Sequence, residues 1–457
     1  RVFYTNLGHQ DATFADGMFQ EHVLDGLVYA VGDRQRAPLL DGRPDPDRFE
    51  KEVLVTPLNE PVSLDVMPDG SVLIVERPGT IKRWREGEEM TVVGEASDVY
   101  FPSGNSEFGL LAVAGVPHDG GPLEGAYVMY DTLIDEQIQQ RVAYVPFVDD
   151  RFDFNDVRTL LEIPQDPNCC HTGGAVRFGP DGYLYIAVGD NSNPHGIDCL
   201  APLSDDPEDL AHDARRSAGN TKDLRGKILR IIPSTDGSYE IPDGNLFTDP
   251  EVGRPEIYVM GTRNPYTIGF DQTDGTLYYG DVGPDGREDT AFGPRGYDEI
   301  NRVTAAGNFG WPFFIGDNYP YLMSPPEGDR PGRLQNPQAP VNESHRNTGA
   351  RDLPPAHPAL IWYPYEDSER FPEMGAGGRN ALVAGVYHSP ASGGDGAFPA
   401  YFEGKLVISD FMRRYLKVVD LNEGGEVEKI TPVAEGMLLS GPLDLEFGPD
   451  GALYVLE

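Results

Sequence analysis

Apolar residues in this chain fall in short runs separated by turn residues, and from about Val53 onward one unit recurs. It is an apolar run, a turn carrying Asp-Gly, then an alternating run. The first copy joins residues 64–67 to 72–75 through Pro68-Asp69-Gly70. Others centre on Asp181-Gly182, on Asp274-Gly275 before Leu277-Tyr278-Tyr279, and on Asp450-Gly451 before Leu453-Tyr454-Val455. A weaker copy is Glu403-Gly404 before Leu406-Val407-Ile408. Asp and Gly are turn formers and the flanking runs have strand character. Irregularly spaced hairpin units predict an all-β protein, a β-propeller whose blades bury their faces on one another, with long insertions between copies. A β-sandwich with coincidental Asp-Gly turns is the competing reading. The chain stops straight after a strand, so the last blade is expected to be truncated.

Residues 1–33 read differently. Val2-Phe3-Tyr4-Thr5 suggests a strand, and Phe19, Val23, Leu27 and Ala30 fall at helical spacing, with Leu24 and Val31 near the same stripe. This predicts the last strand and helix of an α/β domain. Residues 34–52 are polar with three prolines and read as a linker, which leaves 53–457 for the propeller. No signal peptide is visible, and the native start is expected upstream. No apolar run reaches 18 residues, so no membrane-spanning helix is expected.

Composition sharpens this picture. Of 457 residues, 54 are Gly and 41 Pro, as many turns require. Acidic residues number 75 against 36 basic ones, a net charge of −39, and 29 of the 36 are Arg. Strong salt screens such self-repulsion, so a saline environment is expected. The same charge argues against nucleic acid or an anionic membrane as partner. The cysteines, Cys169, Cys170 and Cys199, lack zinc-site spacing. Buried thiols, a strained bridge between the adjacent pair, or a bridge to Cys199 all remain open.

Candidate chemistry concentrates in the unit around Asp181-Gly182. Folding it about Pro180 and Asp181 brings His171 opposite Asp190. An imidazole held by a carboxylate is a common general base. A turn histidine bonded to backbone, and an Asp capping its own loop, are the plainer alternatives. Three further segments stand out: Glu256 to Pro265 containing Arg263-Asn264, Asp281-Val282-Gly283-Pro284 continuing to Asp298-Glu299, and Asn308-Phe309-Gly310-Trp311-Pro312.

Together with Glu107-Phe108-Gly109-Leu110-Leu111 and Gly226-Lys227-Ile228-Leu229-Arg230, these segments resemble the soluble pyrroloquinoline quinone (PQQ) dependent glucose/sorbosone dehydrogenases, which are six-bladed β-propellers. Residues 1–33 are similar to the tail of a ThuA-like domain. The resemblance implies His171 as catalytic base and Asp190 as the group that orients it. It implies Arg263, with Asn264 beside it, as cofactor-binding, and the carbonyls of Gly283 and Pro284 as Ca²⁺ ligands. Arg413 is the best match to a further cofactor-binding position, and Glu107 stands near the sugar where the family often has Gln. Asp298 and Glu299 are either a second Ca²⁺ site or solvated loop carboxylates. The implied reaction is base-assisted hydride transfer from a sugar to Ca²⁺-bound PQQ, with electrons passed to an external acceptor such as a cytochrome c, in the periplasm or outside the cell. A Ca²⁺-dependent propeller lactonase and a non-catalytic carbohydrate-binding propeller are the alternatives.

Overall fold

The recurring Asp-Gly units are the turns between the first two strands of four blades, and Glu403-Gly404 lies just before the second strand of a fifth. Gly70, Gly182, Gly275, Gly404 and Gly451 adopt φ between 72° and 80°, a region that favours glycine. Asp69, Asp181, Asp274 and Asp450 each accept the N–H two residues on. The computed structural model describes residues 42–457 except 103–105, 118–120, 168–169, 195–200, 323–332, 392 and 395. The α/β remnant expected over 1–33 lies outside the described residues.

Six of the sheets form the blades. Blade 1 runs Pro61–Val66, Val72–Glu76, Thr80–Trp84 and Thr91–Glu95. Blade 2 is built on Leu110–Val116, Gly125–Ile134, Gln137–Val148 and Arg158–Gln165. Residues 117–124 join its first two strands, and no predicted unit marks it. Blade 3 has Ala175–Phe178, Leu184–Val188, Lys227–Pro233 and Ile257–Met260. Blade 4 has Pro265–Phe270, Leu277–Asp281, Asp298–Val303 and Ile361–Tyr363. Blade 5 has Ala381–Val386, Leu406–Asp410, Leu416–Leu421 and Val427–Pro432, and blade 6 pairs Asp444–Phe447 with Leu453–Leu456. The first strands touch in cyclic order, with blade 6 against blade 1, so the ring closes as a six-bladed propeller.

The core is distributed around that ring. Leu73 and Val75 pack with blade 2, whereas Val72 and Ile74, on the other face of the same strand, pack with Leu456 of blade 6. Tyr278 likewise joins the blade 5 interface, while Leu277 and Tyr279 join that of blade 3. A second strand must therefore be apolar on both faces, not on alternate residues as in a half-exposed strand. Residues 42–52, the described end of the expected linker, are not detached. Phe49 lies edge-on to Phe398 and Phe402 at 5.5 Å, and Lys51 pairs with Glu457 at 2.5 Å.

One polar contact recurs from blade to blade. A carboxylate near the exit of the second strand accepts a backbone N–H at the entry of the first. Glu76 serves Asn59 at 2.6 Å, Asp131 serves Gly109 at 3.1 Å, and Asp281 serves Arg263 and Asn264 at 2.9 and 2.6 Å. Asp410 serves Asn380 at 3.0 Å and Glu457 serves Ser440 at 2.6 Å. In blade 3 the equivalent residue is Asp190, and its partner is a side chain, described below.

Arg177, on the first strand of blade 3, ties non-neighbouring blades across the centre. It meets Leu64 O at 2.6 Å, Asp444 at 2.9 Å, Glu446 at 3.1 Å and Asp65 at 3.7 Å. Burial, which Arg177 only partly offsets, raises the Glu446 carboxyl above its ordinary value. Removing one partner of a buried ion pair typically costs about 3–5 kcal/mol. Arg177→Leu should therefore lower the unfolding free energy in urea by roughly that amount. Adding Glu446→Gln should recover part of it, because one of the stranded carboxyls is then neutral. A loss below about 1 kcal/mol would mean that the guanidinium does not balance these carboxyls.

Candidate active site

His171 precedes the first strand of blade 3 and Asp190 follows the second. Pairing runs from Ala175 with Ala187 to Phe178 with Leu184, which extrapolates to His171 opposite Asn191. The expected register is thus one residue off, because the turn centres on Asp181, and Asn191 N–H donates to His171 O at 3.1 Å. The ladder ends before the histidine. With φ 61° at His171 and 79° at Gly173, the imidazole Nδ1 comes to 2.8 Å from Asp190 Oδ1. Gly189 permits the approach, since a Cβ there would stand 2.1 Å from His171 O.

Asp190 is fully buried and collects donors. Ser192 gives its N–H at 2.8 Å and its hydroxyl at 2.9 Å, and the Trp311 indole N–H donates to Oδ2 at 2.7 Å. Burial alone would raise its pKa, but the charge and hydrogen bond of His171, then Arg263, outweigh that and lower it. An ionised Asp190 makes Nδ1 the donor and leaves Nε2 as the acceptor nitrogen.

Arg263 is joined to this pair through the main chain, for its carbonyl accepts Asp190 N–H at 2.8 Å. Its guanidinium donates to Val282 O at 2.7 Å and lies 5.8 Å from the Trp311 ring centroid. Asn264 Oδ1 accepts Gly173 N–H at 2.9 Å, linking the entries of blades 3 and 4. Trp311 comes from the long connection 304–360 of blade 4, which also adds Gly307–Asn308 as a parallel strand to blade 3. Sequence reasoning singled out the Trp311 segment but not its bond to Asp190.

A small cavity lies beside these residues, lined among others by Arg263, Asp281, Gly283, Tyr297, Glu299 and Trp311. Burial pushes Asp281 up to about 7, against the opposing N–H donors of Arg263 and Asn264. Burial, then the charge of Asp281, pushes Glu299 up to about 8. Asp298 accepts Gly283 N–H at 3.1 Å and Ala381 N–H at 3.0 Å. Asp298 and Glu299 are 1% and 7% exposed, which corrects the reading of them as solvated loop carboxylates. Among the described residues no cluster of three or more His, Cys, Asp or Glu has metal-binding geometry.

The remaining predicted positions divide. Glu107 Oε2 accepts the N–H groups of His171 at 2.7 Å and Thr172 at 3.2 Å, so it braces the segment bearing the imidazole. Pro284 O already accepts a 2.6 Å hydrogen bond from Arg379. Arg413 directs its guanidinium to the carbonyls of Met374 and Gly378 at 3.0 Å, and to Gly375 at 2.5 Å. That is a strut on a backbone loop, unlike the cofactor contact the resemblance implied. Cys170, next to His171, is disulfide-bonded, while Cys169 and Cys199 lie outside the described residues.

A closed six-bladed propeller with a histidine–aspartate pair and an arginine meeting at one end of blades 3 and 4 defines a class, and sequence comparison places the chain within it. Residues 58–351 match the glucose/sorbosone dehydrogenase family, so the chain belongs to that family. It is 29% identical over 279 residues to the aldose sugar dehydrogenase YliI of Escherichia coli, covering 60% of this chain and 65% of that one. It is 28% identical over 285 residues to quinoprotein glucose dehydrogenase B of Acinetobacter calcoaceticus, covering 59% and 54%. The first curated relatives are matched over 26% to 65% of their own lengths. The fold is shared with the PQQ-bound form of aldose sugar dehydrogenase from Streptomyces coelicolor, at TM-score 0.55 and 20% identity, over 88% of this chain and 90% of that one.

The raised carboxyls carry a pH dependence. Folded Asp281 and Glu299 titrate at about 7 and about 8, whereas unfolded carboxyls titrate near 4. Between those values the folded chain holds protons that the unfolded chain has shed. Stability of the cofactor-free protein should therefore fall as pH rises from about 4.5 towards 8, by up to about 1.4 kcal/mol per unit for each group, and level off above. Glu299→Gln should flatten this dependence in urea unfolding between pH 5 and 7.5. An unchanged slope would show that Glu299 does not contribute to it.

Proposed function

We propose that this chain oxidises a sugar hydroxyl using PQQ and Ca²⁺. The observation that carries the reading is the junction of the His171–Asp190 pair with Arg263, whose carbonyl accepts Asp190 N–H and whose side chain lines the neighbouring cavity. An oriented base with an acceptor nitrogen thereby lies in the same site as a guanidinium suited to an anionic quinone. The names of the quinoprotein and PQQ-bound relatives support it.

The residues fit both groups. Tyr321 Oη, on the ring packed edge-on to Trp311, and Asn301 Oδ1, beside Glu299, are buried with no hydrogen-bond partner. Asp281 and Glu299 receive only N–H donors. A hard divalent cation nearby would favour the ionised forms of these two raised carboxyls. Arg263 and the Asn264 amide would hold PQQ, and the carbonyls of Gly283 and Pro284 would hold Ca²⁺, Pro284 through its second lone pair. When bound, PQQ supplies a two-electron acceptor whose carbonyl Ca²⁺ polarises.

His171 Nε2 accepts the proton of the hydroxyl on the carbon being oxidised. Asp190 stabilises the resulting imidazolium, and Ser192 and Trp311 hold Asp190 for that purpose. The charge of Arg263 offsets negative charge developing beside it. Glu107 positions the base through Oε2, which leaves its other oxygen for a sugar hydroxyl. The Cys170 disulfide agrees with an oxidising compartment, periplasmic or extracellular. Electrons leave to an external acceptor, for which a cytochrome c is a candidate.

Reconstitution with PQQ and Ca²⁺, followed by dye reduction across a panel of aldoses, tests this reading. PQQ should change the absorption spectrum on binding, and at least one sugar should drive dye reduction. Absence of any spectral change with PQQ would reject it. His171→Ala should keep the spectral change and lose about 10²- to 10⁴-fold in turnover. Turnover near that of the unmodified protein would remove His171 as base.

A further inference from the structure

The backbone that carries the imidazole is held by side chains, because no strand ladder reaches it. Pairing in blade 3 begins only at Ala175. His171 and Gly173 sit at φ 61° and 79°, and a non-glycine residue stays in that left-handed region only where its surroundings hold it there. The holders come from blades 2, 3 and 4. Glu107 takes the N–H groups of His171 and Thr172, Asn191 N–H meets His171 O, and Asn264 takes Gly173 N–H. The Thr172 carbonyl accepts a hydrogen bond from Gln140 Nε2 at 2.8 Å.

Gln140 belongs to the third strand of blade 2, Gln137–Val148, and continues the face on which Val142 and Tyr144 pack against blade 3. It is fully buried, and Thr172 is 1% exposed. A buried amide is costly unless it is hydrogen-bonded, so a glutamine in this apolar interface needs a polar task, and Thr172 O is the one it has. The other end of the amide fits that orientation. Asp131 lies directly opposite Gln140 in the ladder, and both Asp131 Oδ1 and Gln140 Oε1 lack a donor. Burial raises the Asp131 carboxyl well above its ordinary value against the Gly109 N–H, and the charge of Glu107 adds to the rise. A carboxyl that keeps its proton has an O–H to offer Oε1, which leaves Nε2 for Thr172.

We propose that Gln140 is a positioning residue for the base: by holding Thr172 O from blade 2 it fixes the segment 171–173, and with it the placing of the imidazole against Asp190. This rests on the reading of His171 as base given above. Joining blades 2 and 3 without any effect on the imidazole is the alternative.

The test compares the unmodified chain with Gln140→Met, of similar length but without a donor, and Gln140→Asn, whose amide is one methylene too short. In the cofactor-free protein, proton NMR follows the hydrogen-bonded His171 Nδ1–H, identified by its loss in His171→Ala. The signal should shift or broaden in Gln140→Met. In protein reconstituted with PQQ and Ca²⁺, kcat for an aldose should fall about 5- to 50-fold while KM and PQQ affinity stay unchanged. A kcat equal to that of the unmodified protein would overturn the proposal, whether or not stability to urea is lowered, because loss of stability alone is the pattern of the alternative. Should Gln140→Met fail to fold, Gln140→Asn carries the test: a lowered kcat supports the proposal and an unchanged one overturns it. If the unmodified chain oxidises no aldose, it is the base reading that fails. The NMR signal then decides for Gln140 by itself, a shifted signal supporting its hold on the imidazole and an unshifted one overturning it.

Discussion

The structure depends on a carboxylate placed near the exit of each blade's second strand. The two inner strands of a blade end together on one face of the propeller, where the entering chain has N–H groups with no ladder partner. A buried N–H must find an acceptor. Glu76, Asp131, Asp281, Asp410 and Glu457 supply one in five blades. This gathers ionisable groups at one end of the ring and pins the loops that enter and leave it.

Blade 3 departs from the pattern, and the departure creates the candidate site. Asp190 holds the same position but spends its oxygens on the His171 imidazole, on Ser192 and on the Trp311 indole. The entry backbone is served instead by neighbours, with Glu107 on His171 N–H and Asn264 on Gly173 N–H. A structural carboxylate is thereby released to hold an imidazole. Blades 4 and 5 keep the capping carboxylate and vary the entry residue, setting Arg263 and Arg379 on either side of 282–284.

The parts legible in the sequence were the local ones. Asp-Gly turns depend on φ above zero and on a side chain reaching its own backbone two residues on, so they mark blades 1, 3, 4 and 6 without tertiary information, and Glu403-Gly404 marks blade 5 more weakly. The hairpin at 175–188 was found with its register one residue off, since pairing is set by which turn residue sits at the apex. Phe49, read within a polar linker, packs on Phe398 and Phe402 because blades 5 and 6 leave an apolar groove there.

The sequence by itself determined an all-β repeat protein and offered the His171–Asp190 hairpin as candidate chemistry, because turn residues, apolar runs and a hairpin's two ends are short-range features, whereas Arg263 stood out only through the family resemblance. Only the tertiary structure decided what those groups touch. Trp311 reaches Asp190 across 121 positions, and Arg177 joins blades 1, 3 and 6. It also decided that Arg413 braces a loop and that Asp281 and Glu299 are buried deeply enough to hold their protons near neutral pH. The physical reason is ring closure. Burial, and with it the cost of an unpaired charge, is set by the blades on either side, which chain position does not disclose.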